Sequence, residues 1–253
     1  MKISIITVTY NSAKTVRDTL ESVKNQDYKD IEHIIVDGVS KDDTLKIISE
    51  YPSVSKVISE PDKGIYDAMN KGIRAATGDI IGILNSDDFY FDTHVISSIV
   101  DVFQKNENVQ SVYGDLIYVD ATDTNKIVRY WKPGKASINK IYHYFWQPPH
   151  PTFFVKKEVY NKYGLFNLEY KIGADVEFLL RVLYKYRITT FYLPLLMVKM
   201  REGGASNKNV ANRKTLIKEY YKMFREHQLP KTFYTIPFRF ASRLLQFMNF
   251  GKR

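Results

Sequence analysis

The chain has 253 residues, of which 44% are hydrophobic and 26% charged, enough for one large globular domain or a domain with an appendage. It has no cysteine, which excludes disulfide scaffolds, thiolate zinc sites and cysteine nucleophiles and agrees with a reducing cytoplasm. The net charge of +9 lies in residues 207–253, because residues 1–206 carry equal numbers of acidic and basic residues. We therefore expect an anionic partner for the last part of the chain.

Strands and helices alternate through the first hundred residues. The first apolar run, broken by Thr7 and Thr9, predicts a strand and not a signal peptide, and no uncharged stretch is long enough to span a bilayer. The predicted strands are 2–9, 31–37, 54–59 and 79–84, and the predicted helices are 11–25, 40–50 and 64–76. Ser40 and Asp43 have the form of a capping box for the second helix. This alternation predicts a mainly parallel sheet flanked by helices, with the loops after strands one, two and four at one edge.

The second half of the chain is less regular. We predict a hairpin of strands 109–119 and 126–131, further strands at 152–155 and 189–193, and helices at 173–186 and 207–227. The remaining residues, 231–253, are apolar and basic by turns.

Four polar residues, Asn85, Ser86, Asp87 and Asp88, follow the apolar run 80–84. At the carboxyl end of a buried parallel strand, two adjacent carboxylates point into a crevice. Their repulsion is relieved when a divalent cation lies between them and a phosphate. The pattern therefore predicts a metal-bound nucleotide or sugar nucleotide as the ligand.

Four motifs, at residues 7–11, 36–44, 64–72 and 85–88, together closely resemble those of glycosyltransferase family 2, the inverting enzymes of the GT-A fold. The resemblance covers about residues 1–206 in order. It implies an α/β, Rossmann-like GT-A fold with a nucleotide-sugar half at about 1–105 and a smaller mixed acceptor half at 106–206. Residues 207–253 would then form a basic helical extension.

The resemblance assigns Asp37 to the nucleobase. An acceptor-only carboxylate suits the N–H edge of uracil or guanine, and the family favours uracil. The alternative is that Asp37 and Gly38 only make a turn, while Ser40 only caps a helix. The other residues that we expect at the nucleotide sugar are Thr7, Thr9, Tyr10, Asn11, Asp62, Lys63, Asp67, Asn70, Lys71, Asn85, Ser86 and Arg201. Among these, Asp67 and Asn70 could instead be ordinary helix residues.

By the same resemblance, Asp87 is the metal ligand, for Mg²⁺ or Mn²⁺ at the diphosphate. Asn85 stands where the family usually has the first Asp of its Asp-x-Asp pattern. Asp88 is either a second ligand or a cap for the following segment. The cation would neutralise the leaving nucleoside diphosphate.

The second half supplies the expected base. Asp175 lies in a segment similar to the one that carries a catalytic Asp in related enzymes, and inversion needs a base for the acceptor hydroxyl. The alternative is that Asp175 is a carboxylate at a helix N-terminus, where it stabilises the helix and takes no part in catalysis. Glu177 is a reserve acceptor-site residue, or a partner of Arg181 four residues on. His150, between two prolines, lines the acceptor pocket or is structural.

The tail mixes aromatic residues with Arg239 and Arg243, which suits either a membrane interface with anionic lipids or packing on protein. The resemblance implies transfer from a nucleoside-diphosphate sugar, with UDP favoured, to a hydroxyl of a glycan or lipid-linked acceptor in cell-surface polysaccharide synthesis. We expect a cytoplasmic protein with peripheral membrane contact and no nucleic-acid partner. Two other functions are less well supported by the sequence. A nucleotidyltransferase usually has a Gly-rich basic loop after the first strand, and this sequence has none there. A nucleic-acid-binding protein would need a basic groove, whereas the body of this protein is neutral.

Overall fold

The computed structural model of the protein describes residues 1–203 and 210–229. Nine strands of these residues form one sheet, in the order β3-β2-β1-β4-β8-β6-β9-β5, and β7 pairs with β6. The strands are β1 (Ile3–Thr9), β2 (Ile31–Asp37), β3 (Val54–Ser59), β4 (Ile80–Ile83), β5 (Phe89–Tyr90), β6 (Ser111–Val119), β7 (Ile127–Trp131), β8 (Phe154–Lys156) and β9 (Thr190–Arg201).

Helices flank both faces of this sheet. They are α1 (Val16–Lys24), α2 (Thr44–Ser49), α3 (Ile65–Ala75), α4 (Val95–Lys105), α5 (Ile138–Tyr144), α6 (Lys157–Tyr163), α7 (Ala174–Leu179) and α8 (Val210–Glu226). A 3₁₀ turn covers His150–Thr152, and α7 continues as a π-helix over Leu180–Lys185. The α/β class with a mainly parallel, helix-flanked sheet is confirmed.

The sheet separates two apolar cores. Every residue of β1 and β4 is buried, as expected for central strands that are covered on both faces. Ile6 and Ile83 belong to the core under α3, α6, α7 and α8, whereas Ile5 and Ile80 belong to the core under α4. Alternate residues of one strand therefore fill opposite cores.

Strand direction decides which loops meet. β1, β2, β3 and β4 pair in parallel, and β8 lies antiparallel between β4 and β6. β6 therefore runs in the direction of β4, and β9 is parallel to β6. The carboxyl ends of β1, β2, β4, β6 and β9 consequently share one edge of the sheet.

Several predicted boundaries change. α1 begins at Val16 and not near residue 11, because a turn at Ser12, whose carbonyl accepts the Thr15 and Val16 N–H groups, comes first. α2 begins at Thr44, whose N–H is bound by Asp42 and not by the predicted capping box. β9 extends eight residues past 193 because it pairs with β6 along its length. The structure also contains α4, α5 and α6, which the sequence analysis does not predict.

Helix α8 packs into the main core. Its residues Leu216, Tyr220, Met223 and Phe224 are buried there, and the ring of Phe145 lies 4.8 Å from that of Phe224, centroid to centroid. The extension predicted at 207–253 is thus described in the part that α8 forms, and it packs on the body of the protein, while the predicted tail from 231 onward lies outside the described residues. None of the helices in residues 1–203 and 210–229 has the length and apolar character that a membrane span requires.

Candidate active site

Hydrogen bonds tie together the loops that follow β1, β2 and β4. The Asn11 side chain accepts the Lys41 N–H at 2.8 Å, and the Asn11 N–H donates to the Ser40 hydroxyl at 2.8 Å. The Ser12 and Ser86 hydroxyls lie 2.8 Å apart. Asn11 has φ of 50°, a left-handed conformation that asparagine tolerates better than most residues. Asn11 and Ser86 therefore shape this edge of the sheet by joining its loops.

A connected polar cluster lies beside these loops. Asp175, in the first turn of α7, has one carboxylate oxygen 2.9 Å from the Tyr66 hydroxyl and the other 3.3 Å from His150 Nδ1. His150 Nε2 lies 3.5 Å from the Asn85 amide nitrogen. Met69 and other apolar side chains line the pocket where His150 and Asp175 meet. The fold therefore brings together three residues, Asn85, His150 and Asp175, that we expected at the site.

The donors in this cluster can be assigned from chemistry. The Asn85 amide nitrogen also faces the Asp88 carboxylate at 3.4 Å, which makes it the donor towards His150 Nε2. The neutral imidazole then carries its proton on Nδ1, which faces the Asp175 carboxylate at 3.3 Å. Burial and the charge of Asp175 raise the pKa of Tyr66 well above its usual range, so Tyr66 stays a donor. Asp175 thus has the Tyr66 hydroxyl next to one oxygen and the His150 ring next to the other.

Asp87 and Asp88 differ in what surrounds them. The Asp87 side chain is half-buried, and no hydrogen bond or ion pair joins its carboxylate to another described residue. The Asp88 carboxylate is buried; one oxygen accepts from the Asn85 amide, and the other, Oδ1, has no hydrogen-bond partner among the described residues. Burial and the nearby charge of Asp87 raise the pKa of Asp88 well above its usual range. A role of Asp88 as a second metal ligand stays a prediction.

Asp37 lies fully inside the protein, with an exposed fraction of 0%. Its carboxylate accepts hydrogen bonds from the Thr9 hydroxyl at 2.9 Å, from the Ser59 hydroxyl at 2.9 Å, and from the N–H and hydroxyl of Ser40 at 2.9 and 2.5 Å. Ser40 therefore holds Asp37 and does not cap α2. A base contact by Asp37 stays a prediction, and it requires one of these donors to move.

An exposed tyrosine and a second aspartate stand in front of Asp37. Tyr10 is 64% exposed, and a Cβ placed on Gly38 would lie 3.4 Å from the Tyr10 ring and 2.6 Å from an Asp62 carboxylate oxygen. Only glycine at position 38 leaves room for this approach. The other Asp62 oxygen accepts the Gly64 N–H at 2.8 Å. Tyr10 and Asp62 thus converge at the end of β2.

Comparison with known proteins identifies the family. The sequence model described as "Glycosyl transferase family 2" matches residues 4–164. The chain belongs to glycosyltransferase family 2. An uncharacterised glycosyltransferase of Mycobacterium tuberculosis is 33% identical over 185 residues, which are 71% of this chain and 68% of that protein. A Mycobacterium bovis protein named for glycosyl transfer in PGL/p-HBAD biosynthesis is 28% identical over 209 residues, which are 81% of this chain and 78% of that protein.

Solved glycosyltransferases of the GT-A fold share the architecture of this family 2 member. Staphylococcus aureus TarS in complex with UDP-GlcNAc matches with a TM-score of 0.71 and 18% identity, over 99% of this chain and 73% of that one. The mannosyltransferase PcManGT of Pyrobaculum calidifontis, in complex with GDP-Man and Mn²⁺, matches with a TM-score of 0.67 and 18% identity, over 100% of this chain and 76% of that one. The protein is a glycosyltransferase with the GT-A fold.

Two oxygens of the loop after β4 suit a hard cation in this glycosyltransferase. Besides the Asp87 carboxylate, Asn85 Oδ1 is buried without a hydrogen-bond partner among the described residues. No group of three or more metal-ligating His, Cys, Asp or Glu side chains occurs in residues 1–203 and 210–229. The donor set therefore fits Mg²⁺ or Mn²⁺ whose remaining ligands are phosphate oxygens and water, as nucleotide-bound Mg²⁺ prefers.

Other residues that we expected at the nucleotide sugar have structural partners. The Thr7 hydroxyl is buried against His33 at 3.1 Å. The Asn70 amide is buried and bridges both backbone groups of Phe166 at 2.9 Å. These contacts join elements within the core, so the structure corrects the expectation that Thr7 and Asn70 contact the donor through their side chains.

The two lysines that we expected at the diphosphate differ in their contacts within the protein. Lys71 donates to the Pro61 carbonyl at 2.6 Å and pairs with Glu60 at 2.9 Å and with Asp67 at 3.8 Å. Asp67 accepts the N–H of Lys63, whose side chain is exposed. Among the lysines expected at the diphosphate, Lys63 is thus the more accessible one.

Arg201 braces the loop that carries Asp87. Its guanidinium is buried, donates to the Asp87 carbonyl at 2.7 Å and pairs with Asp18 of α1. It also lies 4.9 Å from the Phe89 ring centroid. This corrects the expectation of a diphosphate contact from Arg201. The segment after Arg201 is described only as far as residue 203.

Glu177 points away from the polar cluster. It is buried between Arg181 at 3.2 Å and His227 at 3.2 Å, so its carboxylate forms a structural ion pair and not an acceptor contact. The pairing with Arg181 agrees with the i,i+4 alternative from the sequence. The sequence analysis missed Tyr66, although the motif at 64–72 contains it, because a buried aromatic in a helix usually only fills the core.

Proposed function

We propose that the protein transfers a sugar, with inversion, from a nucleoside-diphosphate sugar to a hydroxyl group of an acceptor. The observation that carries this proposal is the polar cluster of Asn85, His150, Asp175 and Tyr66, which lies next to Asp87 at the carboxyl edge of the sheet. In such sheets ligands bind outside the carboxyl ends of the strands.

Asp175 is the proposed catalytic base. Inversion requires a group that takes the proton of the acceptor hydroxyl during attack on the sugar. The Tyr66 hydroxyl and the His150 ring flank the two oxygens of Asp175, and the apolar lining of the pocket limits solvent around them. His150, whose imidazole lies between Asp175 and Asn85, is a proposed acceptor-side residue.

The donor site is proposed between the loops after β1, β2 and β4. Tyr10 offers an exposed ring for a nucleobase or ribose, and Asp62 offers a carboxylate beside it. Asp87 would hold Mg²⁺ or Mn²⁺, and the cation would offset the charge of the leaving diphosphate. The family resemblance favours UDP, while the solved neighbours include complexes with UDP-GlcNAc and with GDP-Man.

The proposed acceptor is a hydroxyl of a glycan or a lipid-linked glycan in cell-surface polysaccharide synthesis. The Mycobacterium bovis relative, which is named for PGL/p-HBAD biosynthesis, supports a glycolipid or polysaccharide role. Family membership favours this proposal over a nucleotidyltransferase or a nucleic-acid-binding protein. Cytoplasmic location and peripheral contact with anionic membrane belong to the same proposal.

Donor binding and turnover test the proposal. We expect one class of nucleoside diphosphate to raise the melting temperature with Mn²⁺ or Mg²⁺ but much less with EDTA, because binding to the folded state stabilises it. Release of nucleoside diphosphate from the matching donor sugar should fall by about 10²- to 10⁴-fold in Asp175→Asn, the range for loss of a general base.

Two further variants separate the roles. Asp87→Asn should abolish the metal-dependent part of the thermal shift, whereas Asp43→Asn, a change at an exposed aspartate whose side chain makes no capping bond, should behave as wild type. Full turnover in Asp175→Asn would show that Asp175 is not the base. Equal binding with and without metal would exclude the role of Asp87.

A further inference from the structure

The carboxylate of Glu219, on α8, binds the backbone directly ahead of α7. One oxygen accepts the Lys171 N–H at 2.6 Å, and the other accepts the N–H groups of Ile172 and Gly173 at 3.2 and 2.8 Å. Glu219 is buried, so these bonds lie away from solvent. Three consecutive N–H groups that point to one carboxylate form a rigid, charge-assisted contact.

Side chains of α8 pack closely against the backbone at Gly173. A Cβ there would lie 2.8 Å from Met223 Cε and 3.3 Å from Glu219 Oε2. Glycine at position 173 therefore lets Glu219 and Met223 reach the backbone. This is a second observation, independent of the hydrogen bonds, that α8 and the segment 171–173 fit each other closely.

Segment 171–173 is linked to Asp175 in two ways. Asp175 follows Gly173 by two residues, within the first turn of α7. In addition, the Ile172 carbonyl lies 2.5 Å from the Tyr66 hydroxyl, which is also 2.9 Å from Asp175. The single phenolic proton is thus shared between the two acceptors, and a shift of Ile172 changes how much of it Asp175 receives.

We propose that Glu219 is a positioning residue for Asp175 and that α8 is a working part of the catalytic unit. The inference rests on the proposed function, in which Asp175 is the base. It extends that function beyond the family match at residues 4–164, because both Asp175 and α8 lie outside the matched segment. Geometry near the reacting atoms is critical, since a misplacement of about 1 Å can cost about 10²-fold in rate.

Glu219→Gln tests the inference in the full-length protein. Its size is retained, but one acceptor oxygen becomes an NH₂ donor that faces N–H groups. We expect kcat for release of nucleoside diphosphate, from the donor sugar selected by the screen, to fall by about 10- to 100-fold. The donor KM should remain unchanged, because the donor site lies at the loops after β1, β2 and β4.

Glu226→Gln is the matched control. Glu226 is also on α8 and also holds the segment before α7, through the Tyr170 hydroxyl, but it does not bind residues 171–173. A purely stabilising role of α8 predicts equal kcat losses in the two variants, and that result would overturn the inference. Glu219→Asp, which keeps the charge but shortens the side chain, should lose less kcat than Glu219→Gln; full activity in both would also overturn it.

A double variant shows whether Glu219 acts through Asp175. Asp175→Asn combined with Glu219→Gln should be no slower than Asp175→Asn alone, because the base that Glu219 positions is already gone. Independent losses that multiply would contradict the inference. If the wild-type protein turns over no donor sugar, the proposed function fails and this inference fails with it. If the wild-type protein is active and Glu219→Gln has the same kcat, only this inference is overturned.

Discussion

The Asp37 carboxylate is occupied by donors of its own chain. A carboxylate offers about four lone-pair positions, and Thr9, Ser40 and Ser59 supply the hydrogen bonds to them. Burial would raise the pKa of Asp37, but these hydrogen bonds lower it overall, so the group is ionised at neutral pH. Its first effect is to join the ends of β1, β2 and β3.

Asp37→Asn should therefore destabilise the fold. The amide places a donor against N–H and O–H donors, and the loss of hydrogen bonds to a charged group costs about 1.5–3 kcal/mol. Denaturant unfolding at pH 7 measures the change. Asp43→Asn, at an exposed position on the same segment, should change the free energy of unfolding by less than about 0.5 kcal/mol. If both variants unfold alike, the Asp37 hydrogen bonds do not contribute to stability.

Sequence reasoning brought together residues that are neighbours in the structure better than it described their contacts. Asp175, His150 and Asn85 are far apart in the chain, yet motif resemblance placed all three at the site, and the structure joins them. Arg201 was misjudged because its partner Asp18 lies 183 residues away, and no local pattern indicates that ion pair. Buried partners from distant elements decide whether a polar residue is free for a ligand.

The first four strands and the helices between them could be predicted because their signals are local. Apolar runs that alternate with amphipathic stretches mark β1 to β4 within a few residues of their ends. The position of β8 between β4 and β6 has no such signal, since strand pairing depends on contacts that are distant in sequence. The same holds for α8, whose core contacts appear only when the chain is folded.

A carboxylate at the opposite edge of the sheet joins three of those strands. Glu32 of β2 accepts hydrogen bonds from Ser4 of β1, from the backbone and hydroxyl of Thr77 just before β4, and from Lys2. Burial alone would raise the pKa of Glu32, but these bonds together lower it from 4.5 to about 2. Glu32 therefore stabilises the strand arrangement in its ionised form.

The stability that Glu32 contributes should depend on pH. Because the folded-state pKa is the lower one, the contribution is fully present above pH 4.5 and is lost as pH falls towards 2. Glu32→Gln should lower the free energy of unfolding by about 1–2 kcal/mol at pH 7, after allowance for solvent screening, and by little at pH 2. Denaturant unfolding of both proteins from pH 7 to pH 2 measures this difference in the free energy of unfolding.

Glu50→Gln removes an exposed carboxylate that pairs with Arg17. Exposed pairs contribute little, so this control should keep the wild-type pH dependence. A Glu32→Gln deficit that stays constant from pH 7 to pH 2 would contradict the assignment to ionised Glu32.

At the scale of the whole molecule, the basic segment 207–253 contains a part that the structure places on the core. Residues 210–229 form and follow α8, which packs on the core and holds the segment before α7. Residues 230–253 contain basic and aromatic residues and no acidic one. A cut after residue 206 would remove α8 together with the tail, so membrane contact is better tested by a cut after Leu229.

Removal of residues 230–253 should abolish sedimentation with anionic vesicles. Aromatic side chains enter the interfacial region of a bilayer, and each basic residue near an anionic surface contributes about 1 kcal/mol. We expect the full chain to sediment with phosphatidylglycerol vesicles, less so at 0.5 M salt because the charges are screened, and little with phosphatidylcholine vesicles. The chain that ends at Leu229 should remain in the supernatant while it keeps the melting temperature and the nucleoside diphosphate release of the full chain. Equal sedimentation of both chains would show that residues 230–253 do not bind the membrane, and a lower melting temperature of the shorter chain would instead indicate that they pack on the protein.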